Sequence, residues 1–145
     1  MTHQEFINLA IEYTKEAAVS GGYPFGALVV KEGEIVGRSN IPRPEFDPTA
    51  HAEITAIRDA CKNLKTDSLS GCKIYCSCQP CGMCLGAIKW AGITEIYYGM
   101  DMEDARKIGH PEIFFDTLAK VNGHKIQTDA AYIKNWYDKL VKESK

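Results

Sequence analysis

The chain has 145 residues, of which 45% are hydrophobic and 25% charged, and a formal net charge of −2. This length and composition predict one globular domain over residues 1–145 and exclude a disordered or fibrous class. The slightly negative charge argues against nucleic acid as a partner, because phosphate backbones attract positive surfaces. No stretch approaches the roughly 20 apolar residues of a membrane span, and the first residues lack the pattern of a secretory signal. We therefore expect a cytoplasmic protein with no membrane partner.

The first half of the chain predicts two helices, a hairpin and a loop. Apolar residues recur at helical spacings in both helices, and β-branched residues flank a turn that contains Gly33. Asp47 or Thr49 is available to cap the second helix, and three prolines make 40–48 a loop. The regular elements are a helix at 3–19, strands at 27–30 and 34–38, and a helix at 49–64.

The second half alternates strands with helices. Pro80 stands where a first helical position favours proline, and Gly92 stands where a helix ends. The elements are strands at 73–77, 94–99 and 124–127, and helices at 80–91, within 103–120 and at 130–142. This order predicts an α/β fold, a three-layer α/β/α sandwich around a five-stranded mixed sheet whose later strands are parallel.

A cysteine-rich stretch, CSCQPCGMC, occupies residues 76–84. Cys81 and Cys84 are three residues apart at the start of a helix, so both sulfurs project to one side, and the helix N-terminus stabilises thiolates. The spacing predicts that this pair binds a metal. It also leaves open a structural zinc site completed by Cys76 or Cys78, an iron–sulfur cluster and a redox site.

A histidine and a carboxylate lie upstream, in the stretch Thr-Ala-His-Ala-Glu at 49–53. An imidazole from His51 and two thiolates would give zinc three protein ligands and leave the fourth position open for water. Glu53 would then be the unligated group that moves the protons of that water. The arrangement requires His51 to lie at the first position of its helix, because in a continuous helix the two side chains would point almost oppositely.

The pattern H-A-E at 51–53 and P-C-x-x-C at 80–84 resembles the signature of the zinc deaminases of the cytidine deaminase-like superfamily. The resemblance extends over essentially the whole chain, since the predicted order of elements is similar too. It implies a hydrolase that deaminates a base with a zinc-activated water. In this resemblance Zn²⁺ is held by His51, Cys81 and Cys84, and Glu53 is the proton shuttle.

Within the superfamily, residues 24–30, 47–58 and 77–91 look like the guanine deaminase family, which converts guanine to xanthine. This likeness implies a free nucleobase as substrate and a homodimer, which in that family is domain-swapped. An asparagine amide offers both a donor and an acceptor to a purine edge, and family aromatics wall the pocket. The implied substrate contacts are Asn40, Phe25, Ala52, Trp90, Glu112 and His110.

Three departures from the guanine deaminase pattern keep other functions open. Residues 109–112 read Gly-His-Pro-Glu where the family has Gly-Phe-Asp-Asp, the chain ends in VKESK rather than an aromatic residue, and Gln79 replaces a glutamate. The alternatives are a deaminase of cytosine or a related amino-pyrimidine or triazine, and a tRNA adenosine deaminase. A structural zinc module is the alternative that is not an enzyme.

Overall fold

The computed structural model describes residues 1–19 and 25–101, together with residues 103, 131, 134, 135, 138 and 139. Between residues 1 and 101 the described chain forms three helices and four strands. They are α1 (His3–Val19), β1 (Ala27–Lys31), β2 (Glu34–Arg38), α2 (Ala52–Leu64), β3 (Lys73–Cys78), α3 (Gly82–Ala91) and β4 (Glu95–Met100). Among the described residues, no helix is both long and apolar enough to cross a membrane.

Several predicted features fall beyond the part of the chain that the structure describes. These are the strand at 124–127, nearly all of the segment 103–120, and the predicted contacts His110 and Glu112. The helix predicted at 130–142 is described only in part, and its described residues are helical.

The four strands form one mixed sheet in the order β2-β1-β3-β4. β1 pairs antiparallel with β2 and with β3, whereas β3 pairs parallel with β4 through the α3 crossover. The predicted mixed sheet is thus confirmed, and the described residues supply four of the five predicted strands. The turn between β1 and β2 places Glu32 at φ 51° and Gly33 at φ 80°. Positive φ at both positions matches the twist of a two-residue hairpin.

Helices cover both faces of the sheet. Successive residues of β1 point to opposite faces, and each set packs against different helices. Leu28 and Val30 pack in a cluster with residues of α1, while Ala27 and Val29 pack in a cluster with residues of α2 and α3. The sheet therefore lies between α1 on one side and α2 with α3 on the other. The second of these clusters supports the elements that carry the predicted metal ligands.

Helix α2 lies in backbone contact with β2. A Cβ atom added at Gly37 would lie 2.6 Å from the Ala60 Cβ and would collide with the Ala56 carbonyl oxygen. Only a residue without a side chain fits there, so this glycine fixes how closely α2, and with it His51 and Glu53, approaches the sheet.

We expect Gly37→Ala to lower the free energy of unfolding by about 2–3 kcal/mol, because an extra methyl group forces a packed helix and strand apart. Gly86→Ala is the matched control: Gly86 lies inside α3, and a Cβ added there meets no atom within 4 Å. That change should stabilise the protein by about 0.5–1 kcal/mol. Urea unfolding of both variants tests the pair, and equal midpoints would contradict the close contact.

Candidate active site

His51 is the residue that precedes the first turn of α2, and its backbone is extended, with φ −63° and ψ 164°. Its side chain does not cap the helix, and its carbonyl oxygen accepts the first helical hydrogen bond from the Thr55 N–H at 2.9 Å. The helix therefore begins at Ala52. The extended backbone removes the conflict in direction between His51 and Glu53 that a continuous helix would impose.

The predicted capping of α2 by Asp47 or Thr49 is wrong. The Asp47 carboxylate instead accepts hydrogen bonds from the backbone N–H and the hydroxyl of Thr49, at 2.9 and 2.6 Å, and from the Arg58 guanidinium at 3.1 Å. These bonds hold a turn that ends just before His51. The side chains of Asp47 and Thr49 therefore stabilise this turn and do not bond to the free N–H groups of α2.

Cys81 occupies the same position at the start of α3. Its backbone is also extended, with φ −70° and ψ 174°, and its side chain does not cap the helix. The sequence predicted that this helix begins at Pro80, but it begins at Gly82. Cys84 lies in its first turn. The N-termini of α2 and α3 thus converge on one place. At each, the side chain of the N-cap residue makes no capping hydrogen bond and is available to bind a metal.

The His51 imidazole and the two thiols face one another. The His51 Nδ1 atom lies 3.7 Å from the Cys81 Sγ and 3.5 Å from the Cys84 Sγ, and the three atoms all lie within 4.8 Å of one another. Sulfur and nitrogen bound to one tetrahedral zinc ion, at about 2.3 and 2.0 Å from it, would be about 3.5 Å apart. The donor atoms therefore fit a zinc ion both in type and in spacing.

The electrostatics favour a thiolate in this cluster. Hydrogen bonding from the Cys84 thiol, assisted by the backbone N–H groups of Met83 and Cys84 and by the His51 imidazole, lowers the pKa of Cys81 to about 5 against the cost of burial. The same hydrogen bond and burial raise the pKa of Cys84. The pair therefore favours a thiolate on Cys81 and a protonated thiol on Cys84, whose proton a bound metal cation would displace.

Other cysteines are packing residues. Cys61, Cys72 and Cys76 belong to the apolar cluster between the sheet and α2, and burial raises the pKa of each thiol. Cys78 is buried at the end of β3. Among the described residues, the one group that could hold a metal consists of His51, Cys81 and Cys84. This group contains two sulfurs, so in the described part of the chain it does not provide the four cysteines of a structural zinc site or of an iron–sulfur cluster.

Glu53 lies beside the cluster without belonging to it. The residue is 6% exposed, and its carboxyl group forms a hydrogen bond with the Cys84 thiol. Burial raises the pKa of Glu53, although that hydrogen bond and one from its own backbone N–H oppose the rise. A carboxyl group with a raised pKa exchanges protons more readily near neutral pH than an ordinary one.

Comparison with known proteins identifies the family. A model of the cytidine and deoxycytidylate deaminase zinc-binding region matches residues 1–100. The chain belongs to this deaminase family. Together with the cluster geometry, this membership confirms the predicted Zn²⁺ cofactor and the predicted class of zinc-dependent deaminase.

Relatives of the deaminase act on different bases. This chain is 44% identical over 117 residues to a guanine deaminase from Bacillus subtilis. The alignment spans 79% of this chain and 74% of that protein. The X-ray structure of guanine deaminase from Bacillus subtilis superposes with a TM-score of 0.80 and 34% identity, covering 95% of both chains. A tRNA-specific adenosine deaminase from Aquifex aeolicus is 39% identical over 99 residues, which span 68% of this chain and 66% of that protein.

The predicted substrate contacts of the deaminase lie in different environments. Ala52 is buried in the first turn of α2, in the apolar cluster between the sheet and helices α2 and α3. Phe25 is half-buried against this cluster. Asn40 is exposed just after β2. Trp90 is 91% exposed in the last turn of α3, at the end opposite to Cys81. The described part of the deaminase therefore does not bring Trp90 into the metal cluster, because the length of α3 separates them.

Sequence reasoning missed an unusual aromatic residue in the loop before His51. Phe46 is 94% exposed and has φ 58°, a left-handed backbone that bulky residues rarely adopt. The Arg43 guanidinium spans this loop by donating to the Ala50 carbonyl oxygen at 3.2 Å. No pattern in the sequence announces a left-handed phenylalanine, so only the structure reveals how the loop presents it.

Proposed function

We propose that this deaminase hydrolyses guanine to xanthine and ammonia. The likeness to the guanine deaminase of Bacillus subtilis supports the choice of substrate. The chemistry rests on one observation: the Glu53 carboxyl is buried against Cys84 but lies outside the group of metal donors. This is the placement that a proton carrier needs beside a metal site with an open position.

In this proposal, His51, Cys81 and Cys84 hold the zinc ion. When bound there, zinc supplies Lewis-acid activation of a water molecule near neutral pH. The two thiols lie at the N-terminus of α3, where the helix dipole stabilises negative charge on sulfur. Because its pKa is lowered to about 5, the Cys81 sulfur is already a thiolate near neutral pH and can bind the cation without first losing a proton.

Glu53 manages the protons of the reaction. As the water oxygen adds to the amino-bearing carbon of the base, Glu53 accepts a proton from that water and passes it to the adjacent ring nitrogen. Glu53 then carries the second water proton to the departing amine, which leaves as ammonia, and an oxo group remains. Burial holds the pKa of Glu53 above its usual range, which suits both the acceptance and the release of a proton.

The contacts to the base remain part of the proposal. Asn40 presents its amide to the purine edge, while Phe25 and Ala52 contact the ring. The remaining contacts of this proposal are Trp90, together with His110 and Glu112, which are outside the described residues. We further propose one domain over residues 1–145, a five-stranded sheet, a homodimer and a cytoplasmic location.

Ammonia release from a panel of bases tests the proposal. Zinc-loaded protein is incubated with guanine, cytosine, adenine, their nucleosides and ammeline. We expect guanine to give the highest kcat/KM, with xanthine as the second product. Turnover of another base with guanine inert would contradict the substrate and leave the deaminase class intact, whereas no turnover of any substrate would favour a structural zinc module.

A tRNA adenosine deaminase is the second candidate, which the likeness to the Aquifex aeolicus protein favours. The net charge of −2 argues against it, because binding to a phosphate backbone requires positive surface. Conversion of adenosine to inosine in a tRNA anticodon stem–loop, at a rate above that for guanine, would establish this alternative.

A further inference from the structure

Polar side chains of α2 hydrogen-bond to β2 at a regular interval. The Asn63 amide donates to the Val36 carbonyl oxygen at 2.8 Å. Four residues earlier on the helix and two residues further along the strand, the Asp59 carboxylate accepts from the Arg38 N–H at 3.0 Å. The helix and the strand therefore run antiparallel, with one helical turn matched to two strand residues.

The next position on this face of α2 is Thr55, four residues before Asp59. Beyond β2 the chain stays close to the sheet for one more residue, since the Ser39 N–H donates to the Ala27 carbonyl oxygen at 3.0 Å, and it bends at Ser39 and Asn40. The register therefore directs Thr55 towards the segment that carries Asn40, the residue proposed to read the base.

Unlike Asp59 and Asn63, Thr55 makes no hydrogen bond with its side chain to the described residues. The residue is 4% exposed, and within the described part of the chain its hydroxyl oxygen is buried without a hydrogen-bond partner. Asn63 and Asp59, at the equivalent positions, both bond to β2. A buried hydroxyl without a partner costs free energy, so an unused hydroxyl on this face of α2 suggests a partner that is engaged only during function.

We propose that Thr55 is a positioning residue that orients Asn40 for base recognition. Its hydroxyl hydrogen-bonds to the Asn40 side-chain amide when the base binds, and holds the amide plane so that donor and acceptor both face the purine edge. A hydroxyl can donate or accept, so it can bond to either end of the amide. This inference rests on the proposed function, because it requires Asn40 to contact the base.

The start of α2, from His51 to Thr55, would then serve the reaction in three ways. His51 holds the metal, Glu53 moves protons, and Thr55 orients the residue that selects the substrate. The Thr55 N–H donates to the His51 carbonyl oxygen at 2.9 Å, so these roles are linked through one turn of backbone.

Steady-state kinetics of zinc-loaded Thr55→Val and Thr55→Ser test this role, on whichever base of the panel the wild type deaminates fastest. Valine keeps the shape and removes the hydroxyl, whereas serine keeps the hydroxyl. We expect Thr55→Val to raise KM about tenfold with kcat nearly unchanged, as for the loss of a hydrogen bond that serves binding, and Thr55→Ser to stay close to wild type. The urea midpoint of Thr55→Val should equal or exceed that of wild type, because the lost hydroxyl is unpaired in the free protein.

A double-mutant cycle with Asn40→Ala separates positioning from other effects. If Thr55 acts through Asn40, Thr55→Val has no further effect on KM in the Asn40→Ala background. An unchanged KM in Thr55→Val alone, or an undiminished increase in that background, would overturn the inference. Failure of guanine as a substrate contradicts only the proposed reaction if another base is turned over, and turnover of no base would overturn both proposals.

Discussion

Replacing Glu53 with glutamine is expected to lower kcat for base deamination by about 10²–10⁴-fold, the usual contribution of a positioned general acid–base group. The amide has nearly the same shape and can still bond to the Cys84 thiol, but it cannot accept the proton of the attacking water. Because Glu53 lies outside the metal-donor group, the zinc content of Glu53→Gln should equal that of wild type. Stopped assays of ammonia release and a chelator-based zinc titration measure the two quantities.

Asp59→Asn is the matched control for this change. Asp59 is another carboxylate on α2, more than one turn beyond Glu53, and its hydrogen bond to the Arg38 N–H can be kept by an amide oxygen. Its kcat should stay close to wild type. If Glu53→Gln retained wild-type kcat, or lost zinc together with activity, Glu53 would not be the proton carrier.

The sequence predicted which residues meet at the site because their spacing has a local cause. Two thiols three residues apart at a helix start must share one side of that helix, and the predicted pairing of Cys81 with Cys84 follows from this. The arrival of His51 at the same place depends on the family resemblance, since α2 and α3 are far apart in the chain. The observed distances of 3.5 and 3.7 Å from His51 Nδ1 agree with that expectation.

Helix starts were harder to predict, since sequence shows capping residues but not which hydrogen bonds they make. Asp47 and Thr49 have the side chains that cap helices, yet they bond to each other and leave the helix start to His51. Likewise, the register between α2 and β2 could not be predicted from the sequence. That register depends on the close approach at Gly37, and only the packed structure reveals which polar side chains of α2 bond to β2.

The cysteines upstream of the CxxC pair decide whether the zinc site is catalytic or structural. A structural site is closed by four protein ligands, whereas a catalytic site keeps one position for water. Cys78 is the cysteine nearest to the pair in sequence, and it is buried at the end of β3. Since the described donor group contains His51, Cys81 and Cys84 but not Cys78, the two cysteines on either side of Pro80 should differ sharply in their effect on zinc.

We expect Cys81→Ser to weaken zinc binding by more than about 100-fold, because even partners that only orient a ligand contribute 10–100-fold to affinity, and ammonia release should stop with it. Cys78→Ser should keep wild-type zinc affinity and measurable activity, since the hydroxyl replaces a sulfur that binds no metal. Competition with a chromophoric chelator, followed by elemental analysis, compares the two variants. Equal loss of zinc from both would mean that Cys78 closes the coordination shell, which leaves no position for water and rules out hydrolysis at this metal.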